Sequence, residues 1–311
     1  MNATGYPFLM LLTAVALSNL ILMNSGSIDQ VCKDSVQATI TQFPDEKFAP
    51  ADLAVSVNIL DRPNMTWQSG NYGGEIAYYP ASVVKLFWLA FLAHQVEIGK
   101  VKMTEEDQRA ARDMIVDSNN DATGAVVNLS TGALPGPELK GKEYDAWLAK
   151  RMQANRWYES LGYKGINVLN RTYNEGPYGR EAQAIGRPAK NRNSLTANAT
   201  CRLMSEIALG KIVGKDKCNW MLGLLKREIP VDNPKADDQS INFIGGILAS
   251  NTVLHSKAGW TSDANHDVAY LKMPDGREVV IAVFTIKPNN EKILQALAKN
   301  VLSNLGYPVR G

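Results

Sequence analysis

Cysteine and histidine are scarce in this 311-residue chain, three of each, and that scarcity excludes several chemistries. Cys32, Cys201 and Cys218 fit no common zinc-ligand spacing. His94, His255 and His266 are scattered, so neither a histidine-based metal site nor a Ser-His-Asp triad suggests itself. No metal and no cofactor are expected. An excess of one charge is also missing: 33 Lys and Arg stand against 31 Asp and Glu, a formal net charge of +2. With no basic run interleaved with aromatics, nucleic acid is not an expected partner. Internal repeats and low-complexity segments are absent, and the longest polar stretch, residues 188–194, reads as a loop. Apolar residues make up 45% of the chain, enough for a sizeable core, and the length allows one large domain or two lobes.

Positive charge is absent from the N-terminus as well. Residues 8–23 are mostly apolar and are followed by the small residues Ser25, Gly26 and Ser27. Sixteen such residues suit a signal peptide better than a membrane span. There is no Lys or Arg before them and no clean Ala-x-Ala site after them, so an uncleaved membrane tether is the alternative. Residues 1–27 are read as this signal or anchor and residues 28–311 as the mature domain, in the periplasm or secreted. In an oxidising compartment Cys201 and Cys218 could pair, with buried free thiols as the other reading.

What is present is a hydroxyl and an amine three positions apart in an apolar run. Ser82 and Lys85 lie in Tyr79-Pro80-Ala81-Ser82-Val83-Val84-Lys85-Leu86-Phe87-Trp88, and every residue from 83 to 92 except Lys85 is apolar. On a helix this spacing puts both on one face, and the helix should be buried nearly all round. Desolvation disfavours an ammonium, so the Lys85 pKa should fall toward neutrality, and a neutral amine beside a hydroxyl can take the proton that makes serine a nucleophile. A lysine that snorkels to solvent is the plainer reading. Two further motifs bear on the choice. Ser118-Asn119-Asn120 connects two helical stretches, 105–116 and 122–129, with Asp121 as a plausible N-cap. Lys257-Ala258-Gly259 sits in a β-branched segment that reads as a strand reaching an edge or cleft, where a glycine lets another backbone approach closely.

In the order Ser-x-x-Lys, Ser-x-Asn, Lys-x-Gly, these motifs resemble the set that defines the penicillin-recognising serine hydrolases, the class A β-lactamases and the D,D-peptidases. The likeness spans roughly residues 45 to 308. It implies that Ser82 is the acylated nucleophile, Lys85 its proton acceptor, and Ser118 the shuttle to the leaving group. It also implies that Asn120 holds the substrate amide, that Lys257 attracts its carboxylate, and that the oxyanion hole is formed by the backbone N–H of Ser82 and of a residue just past Gly259. Three departures mark a divergent member. Asn119 stands where aspartate is usual, and Ala258 where a hydroxyl residue is usual. The loop that should carry a water-activating glutamate reads Arg171-Thr172-Tyr173-Asn174-Glu175, with Glu175 the nearest candidate, Glu181 the second, and a solvated carboxylate the plainer reading for both.

The periodicity is compatible with that family. Strand patterns at 52–60 and 65–68 precede a mostly helical stretch, and strand patterns return at 252–258, 267–273 and 278–286, with terminal helices at 28–41 and 290–305. The expected fold is an α/β fold of the α+β kind: an antiparallel sheet flanked by terminal helices, with a helical lobe inserted at about 80–235. The expected function is a β-lactamase-like serine acyl hydrolase that cleaves a β-lactam or related amide, its partner a small-molecule or peptide substrate such as a D-alanyl peptide. The alternatives are a D-alanyl-D-alanine carboxypeptidase, a glutaminase-like amidohydrolase and a non-catalytic envelope-binding protein on the same fold.

Overall fold

A computed structural model describes residues 27–186, 188–286 and 290–310. The N-terminal apolar segment, and with it the signal or anchor reading, lies outside the described residues. Among those described, no helix is long and apolar enough to cross a membrane.

One sheet organises the chain. Strands β1 (Leu53–Asp61), β2 (Thr66–Tyr72), β3 (Lys226–Arg227), β4 (Val253–Thr261), β5 (Ala264–Lys272) and β6 (Glu278–Thr285) pair antiparallel in the order β2-β1-β6-β5-β4-β3. Helix α1 (Ile28–Gln42) precedes the sheet. Between β2 and β3 come α2 (Val84–Glu97), α3 (Glu105–Ile115), α4 (Asn120–Thr131), α5 (Gly141–Arg151), α6 (Gln153–Ser160), α7 (Arg180–Ile185), α8 (Ala197–Ala208) and α9 (Lys215–Leu225). Short α10 (Asp238–Ile241) and terminal α11 (Glu291–Asn304) complete the fold. The antiparallel sheet with helices between its early and late strands is the architecture expected from the pattern.

Burial follows from strand alternation, since successive side chains point to opposite faces. Val268, Tyr270, Val280, Ala282 and Phe284 join the core beneath the helices of the middle segment. Ala269, Leu271, Val279, Ile281 and Val283 join a second core under α1 and α11. α2 runs through the first core as the composition predicts: residues 83–93 are at most 1% exposed, Lys85 among them. Tyr158 of α6 clamps it, donating its hydroxyl proton to Phe87 O at 2.7 Å.

Three details differ from the sequence reading. Ser82 sits in a 3-10 turn, Ala81–Val83, and the α-helix begins only at Val84. Asn119, not Asp121, is the N-cap of α4, its side chain accepting from Ala122 N at 2.9 Å. β4 runs on through Thr261, so Lys257 and Gly259 lie inside a strand. All three cysteines are buried free thiols, so Cys201 and Cys218 are not bridged. Cys201 Sγ donates to Val280 O, and Cys218 Sγ to Val213 O.

Asp267, on β5 between Ala258 of β4 and Val283 of β6, is fully buried. One carboxyl oxygen accepts from Ile244 N at 3.1 Å and the other has no partner. Burial raises its pKa to about 7, against the smaller opposing effects of the Ile244 N–H and of Lys257. Between the ordinary aspartate range and about 7 the folded chain holds a proton that the unfolded chain has released, so stability falls as pH rises through that window and levels off above it. Asp267→Asn keeps an acceptor for Ile244. It should match the wild type near the bottom of that window and exceed it at pH above 8 by on the order of 4 kcal/mol. Urea unfolding at both pH values checks this, and equal stability at the higher pH would contradict a buried carboxylate that ionises at a cost.

Candidate active site

The turn that presents Ser82 is built from backbone constraints. Ala81 holds φ at +47°, a left-handed conformation that disfavours a side chain, and Val83 N closes the turn onto Pro80 O at 3.0 Å. His266 anchors the approach. Its Nδ1 accepts from Thr285 N at 3.2 Å, so its Nε2 carries the proton and donates to Tyr79 O at 3.0 Å. Burial lowers its pKa to about 4, which keeps the ring neutral in this structural role. Against the turn lies the edge of β4, which β3 covers only at Leu254 and His255. A Cβ on Gly259 would stand 2.6 Å from Ser82 N, 2.7 Å from Val83 N and 2.8 Å from Pro80 O. Only glycine lets the strand edge pass so close to the Ser82 amide.

Lys85 is fully buried in the first turn of α2. Its Nζ donates to Ser118 O at 2.5 Å, to Asn120 Oδ1 at 2.8 Å and to Ser118 Oγ at 3.1 Å. Ser118 offers both carbonyl and hydroxyl because it too is left-handed, at φ +53°, between α3 and α4. Ser82 Oγ makes no hydrogen bond to a described residue, so the amine rests on the second motif and not on the serine one turn away. Burial lowers the Lys85 pKa to about 7.

Lys257 reaches the same hydroxyl from the sheet. Its Nζ is 3.1 Å from Ser118 Oγ, 2.5 Å from Gln239 Oε1 and 2.7 Å from Ala258 O. Burial first, and the charge of Lys85 second, push its pKa well below the lysine range. Around this pair stand residues that the motifs did not reveal. Arg227 Nη1 and Nη2 donate to Val116 O and Ile115 O at 2.8 and 2.7 Å, and Gln239 Nε2 donates to Val116 O at 2.8 Å. The free carbonyls at the end of α3 are thereby satisfied. Gln239 thus braces Lys257 and the Ser118 turn together. No local pattern announces a two-residue strand such as β3, and a lone glutamine in a four-residue helix gives no signal.

The loop after α6 closes the site. Asn120 Nδ2 donates to Tyr173 O and to Asn174 Oδ1, each at 3.1 Å. Glu175 is exposed and makes no hydrogen bond to a described residue. Glu181 is buried, held by Arg151 at 2.6 Å and by the Tyr173 hydroxyl at 2.9 Å, with Arg171 Nε at 3.9 Å. The structure therefore brings Lys85, Ser118, Asn120 and Lys257 together beside the turn bearing Ser82 and against Gly259, and it leaves Glu175 and Glu181 outside that network. Among the described residues no group of three or more His, Cys, Asp or Glu could hold a metal.

The sequence pattern of the "Beta-lactamase enzyme family" matches residues 106–305. The chain belongs to this family. Its fold is that of several solved structures of low sequence identity. A β-lactamase from Sphaerobacter thermophilus superposes with a TM-score of 0.62 at 16% identity, over 88% of this chain and 97% of that one. TLA-1 extended-spectrum β-lactamase gives 0.63 at 16% identity, over 88% and 98%. A mutant of PBP-A, solved as an acyl-enzyme complex with penicillin G, gives 0.63 at 17% identity, over 90% and 97%. No curated protein matches the sequence.

Two cavities matter for this family member. The larger, about 760 Å³, lies on the helical side among Leu148, Met152, Tyr163 and Asn167 and contains none of the motif residues. A smaller one, about 330 Å³, is bounded by Tyr79, Tyr173 and Glu175 and adjoins the site. Gly259→Ala should displace the Ser82 turn, because the atoms its Cβ would meet are backbone and cannot rotate away. The expected result is a thermal midpoint lower by a few degrees, the effect of roughly 1–3 kcal/mol of overpacking. A thermal melt checks it, and an unchanged midpoint would contradict the close approach.

Proposed function

We propose that this family member is an exported serine acyl hydrolase, β-lactamase-like, in which Ser82 attacks the carbonyl of a β-lactam or D-alanyl amide and forms an acyl-serine intermediate. The observation that supports it is the approach of two buried amines, Lys85 and Lys257, to the single hydroxyl of Ser118, next to a serine on a strained turn. In this reading neutral Lys85 takes the Ser82 proton and Ser118 passes a proton to the leaving nitrogen. Lys257 attracts the substrate carboxylate, and Asn120 holds the acyl-side amide. The edge of β4 past Gly259 and the amide of Ser82 receive the developing oxyanion. The apolar stretch at residues 8–23 supports export.

Hydrolysis of the intermediate needs a base for water, and Glu175 is the residue in the expected loop. Its exposure, and the meeting of the Asn120 amide with Asn174 and the Tyr173 carbonyl, favour a second reading. In that reading the acyl-enzyme is long-lived and the protein acts as a D-alanyl peptidase or penicillin-binding protein.

Incubation of the mature chain with a fluorescent penicillin, followed by intact-mass analysis, tests the proposal. An adduct on Ser82 is expected, persistent under the second reading and transient under the first. Ser82→Ala and Lys85→Ala should both abolish it while far-UV circular dichroism is unchanged. Labelling of Lys85→Ala at the wild-type rate would remove Lys85 from the base role.

The acylation rate should also rise with pH through about 7, the Lys85 value, because only the neutral amine accepts a proton. Two units below that midpoint the rate should be about 100-fold under the plateau. A flat profile would contradict the assignment.

A further inference from the structure

The cavity of about 330 Å³ beside the site is bounded by Tyr79, Arg171, Tyr173, Glu175, Pro177 and Arg192. Two covalent or hydrogen-bonded links tie it to the chemistry. Tyr79 is three residues before Ser82, which keeps their Cα atoms within about 11 Å. Tyr173 offers its carbonyl to Asn120 Nδ2 at 3.1 Å. The cavity therefore adjoins the position at which Asn120 would hold the acyl-side amide under the proposed mechanism.

The wall carries one uncompensated cation. The Arg192 guanidinium stacks 4.0 Å over the Tyr79 ring. Arg192 is exposed, and its guanidinium makes neither an ion pair nor a hydrogen bond with any described residue. Its neighbour across the cavity is different: Arg171 lies 3.9 Å from buried Glu181 and over the Tyr173 ring at 5.4 Å. Glu175 is the acidic residue on the wall, and it is exposed without pairing to either arginine. Stacking on an aromatic face fixes the plane of a guanidinium and leaves its N–H edge free, the geometry that binds a carboxylate through two parallel hydrogen bonds.

We infer that this cavity is the subsite for the side arm on the acyl side of the scissile amide, and that Arg192 makes it selective for arms ending in an anionic group. The inference rests on the acyl-serine reading above. Tyr79, Tyr173 and Pro177 receive the apolar part of the arm, and Arg192 pairs with the anion at its end. Arg192 acts on substrate choice and takes no part in the proton transfers.

Benzylpenicillin and its para-carboxy derivative, 6-(4-carboxyphenylacetamido)penicillanic acid, differ by one carboxylate at the end of the arm, and the ratio of their second-order acylation rate constants measures the selectivity. For the wild type the para-carboxy compound should be favoured about ten-fold or more, the effect of one charge-assisted pair. Arg192→Gln should bring the ratio to about one, Arg192→Glu should invert it, and Arg192→Lys should retain part of it. A wild-type ratio near one, or a preference that survives in Arg192→Gln, overturns the subsite. Absence of an adduct with both penicillins is a separate result: it overturns the acyl-serine reading, and this inference falls with it.

Discussion

Two fully buried lysine side chains share the hydroxyl of one half-buried serine, and the rest of the site is arranged around that constraint. Each Nζ lies 3.1 Å from Ser118 Oγ, so the nitrogens are at most about 6 Å apart. At that separation two full charges repel by about 3 kcal/mol, even at the effective dielectric of a partly polar interior. Burial opposes both charges as well. Burial and mutual repulsion both favour loss of a proton from the pair. A serine hydroxyl between two amines that differ in protonation can accept from one and donate to the other, which is the proton path that the proposed mechanism needs.

Keeping the pair in place requires a backbone bent against its preferences. Ala81 and Ser118 are both left-handed, at a cost of order 1–3 kcal/mol each. The cost is borne because each turn is over-determined by its surroundings. The Ser82 turn is trapped between the buried helix α2, the His266 bond to Tyr79 O and the bare edge of β4 at Gly259. The Ser118 turn is held by the Asn119 cap and by Lys85, with Arg227 and Gln239 on the carbonyls just before it. Left-handed residues also occur elsewhere, at Lys47, Met65, Ala189 and Asn251, but in these two segments they present hydroxyls between rigid elements, which suits a preorganised site.

The legible part of this arrangement was whatever had a period or a short spacing. The unbroken apolar run of α2 announced a buried lysine, and the late strand patterns announced the sheet that bears Lys257. Element ends were less legible because tertiary contacts set them. β4 continues through Thr261 because β5 pairs with it that far, and α2 starts late because Ala81 turns the chain first. Arg227 and Gln239 escaped because they act across more than 100 residues on the carbonyls of α3, a relation that no local pattern encodes. The cap is Asn119 rather than Asp121 for a related reason: with Ser118 left-handed the chain turns before it, α4 begins at Asn120, two residues earlier than the pattern suggests, and Asn119 is the side chain at its mouth.

The site's chemistry turns on the amide at Asn120. Its oxygen accepts from Lys85 and its nitrogen donates to Asn174 and the Tyr173 carbonyl, so both N–H groups and one lone pair of the oxygen are engaged. A carboxylate in place of Asn174 would lie one hydrogen bond from Asn120 and two from Lys85, able to draw a proton from water and relay it inward. An asparagine there is neutral and cannot. Its own Nδ2 leans instead on Asp121 at 3.2 Å, so the nearest carboxylate along this chain of bonds is one amide further from the reacting centre. Under the proposed mechanism that extra link leaves acylation, which would need only Lys85 and Ser118, unaffected. It would slow the step that needs a base for water, and this asymmetry would separate an enzyme that turns over its acyl-serine from one that retains it.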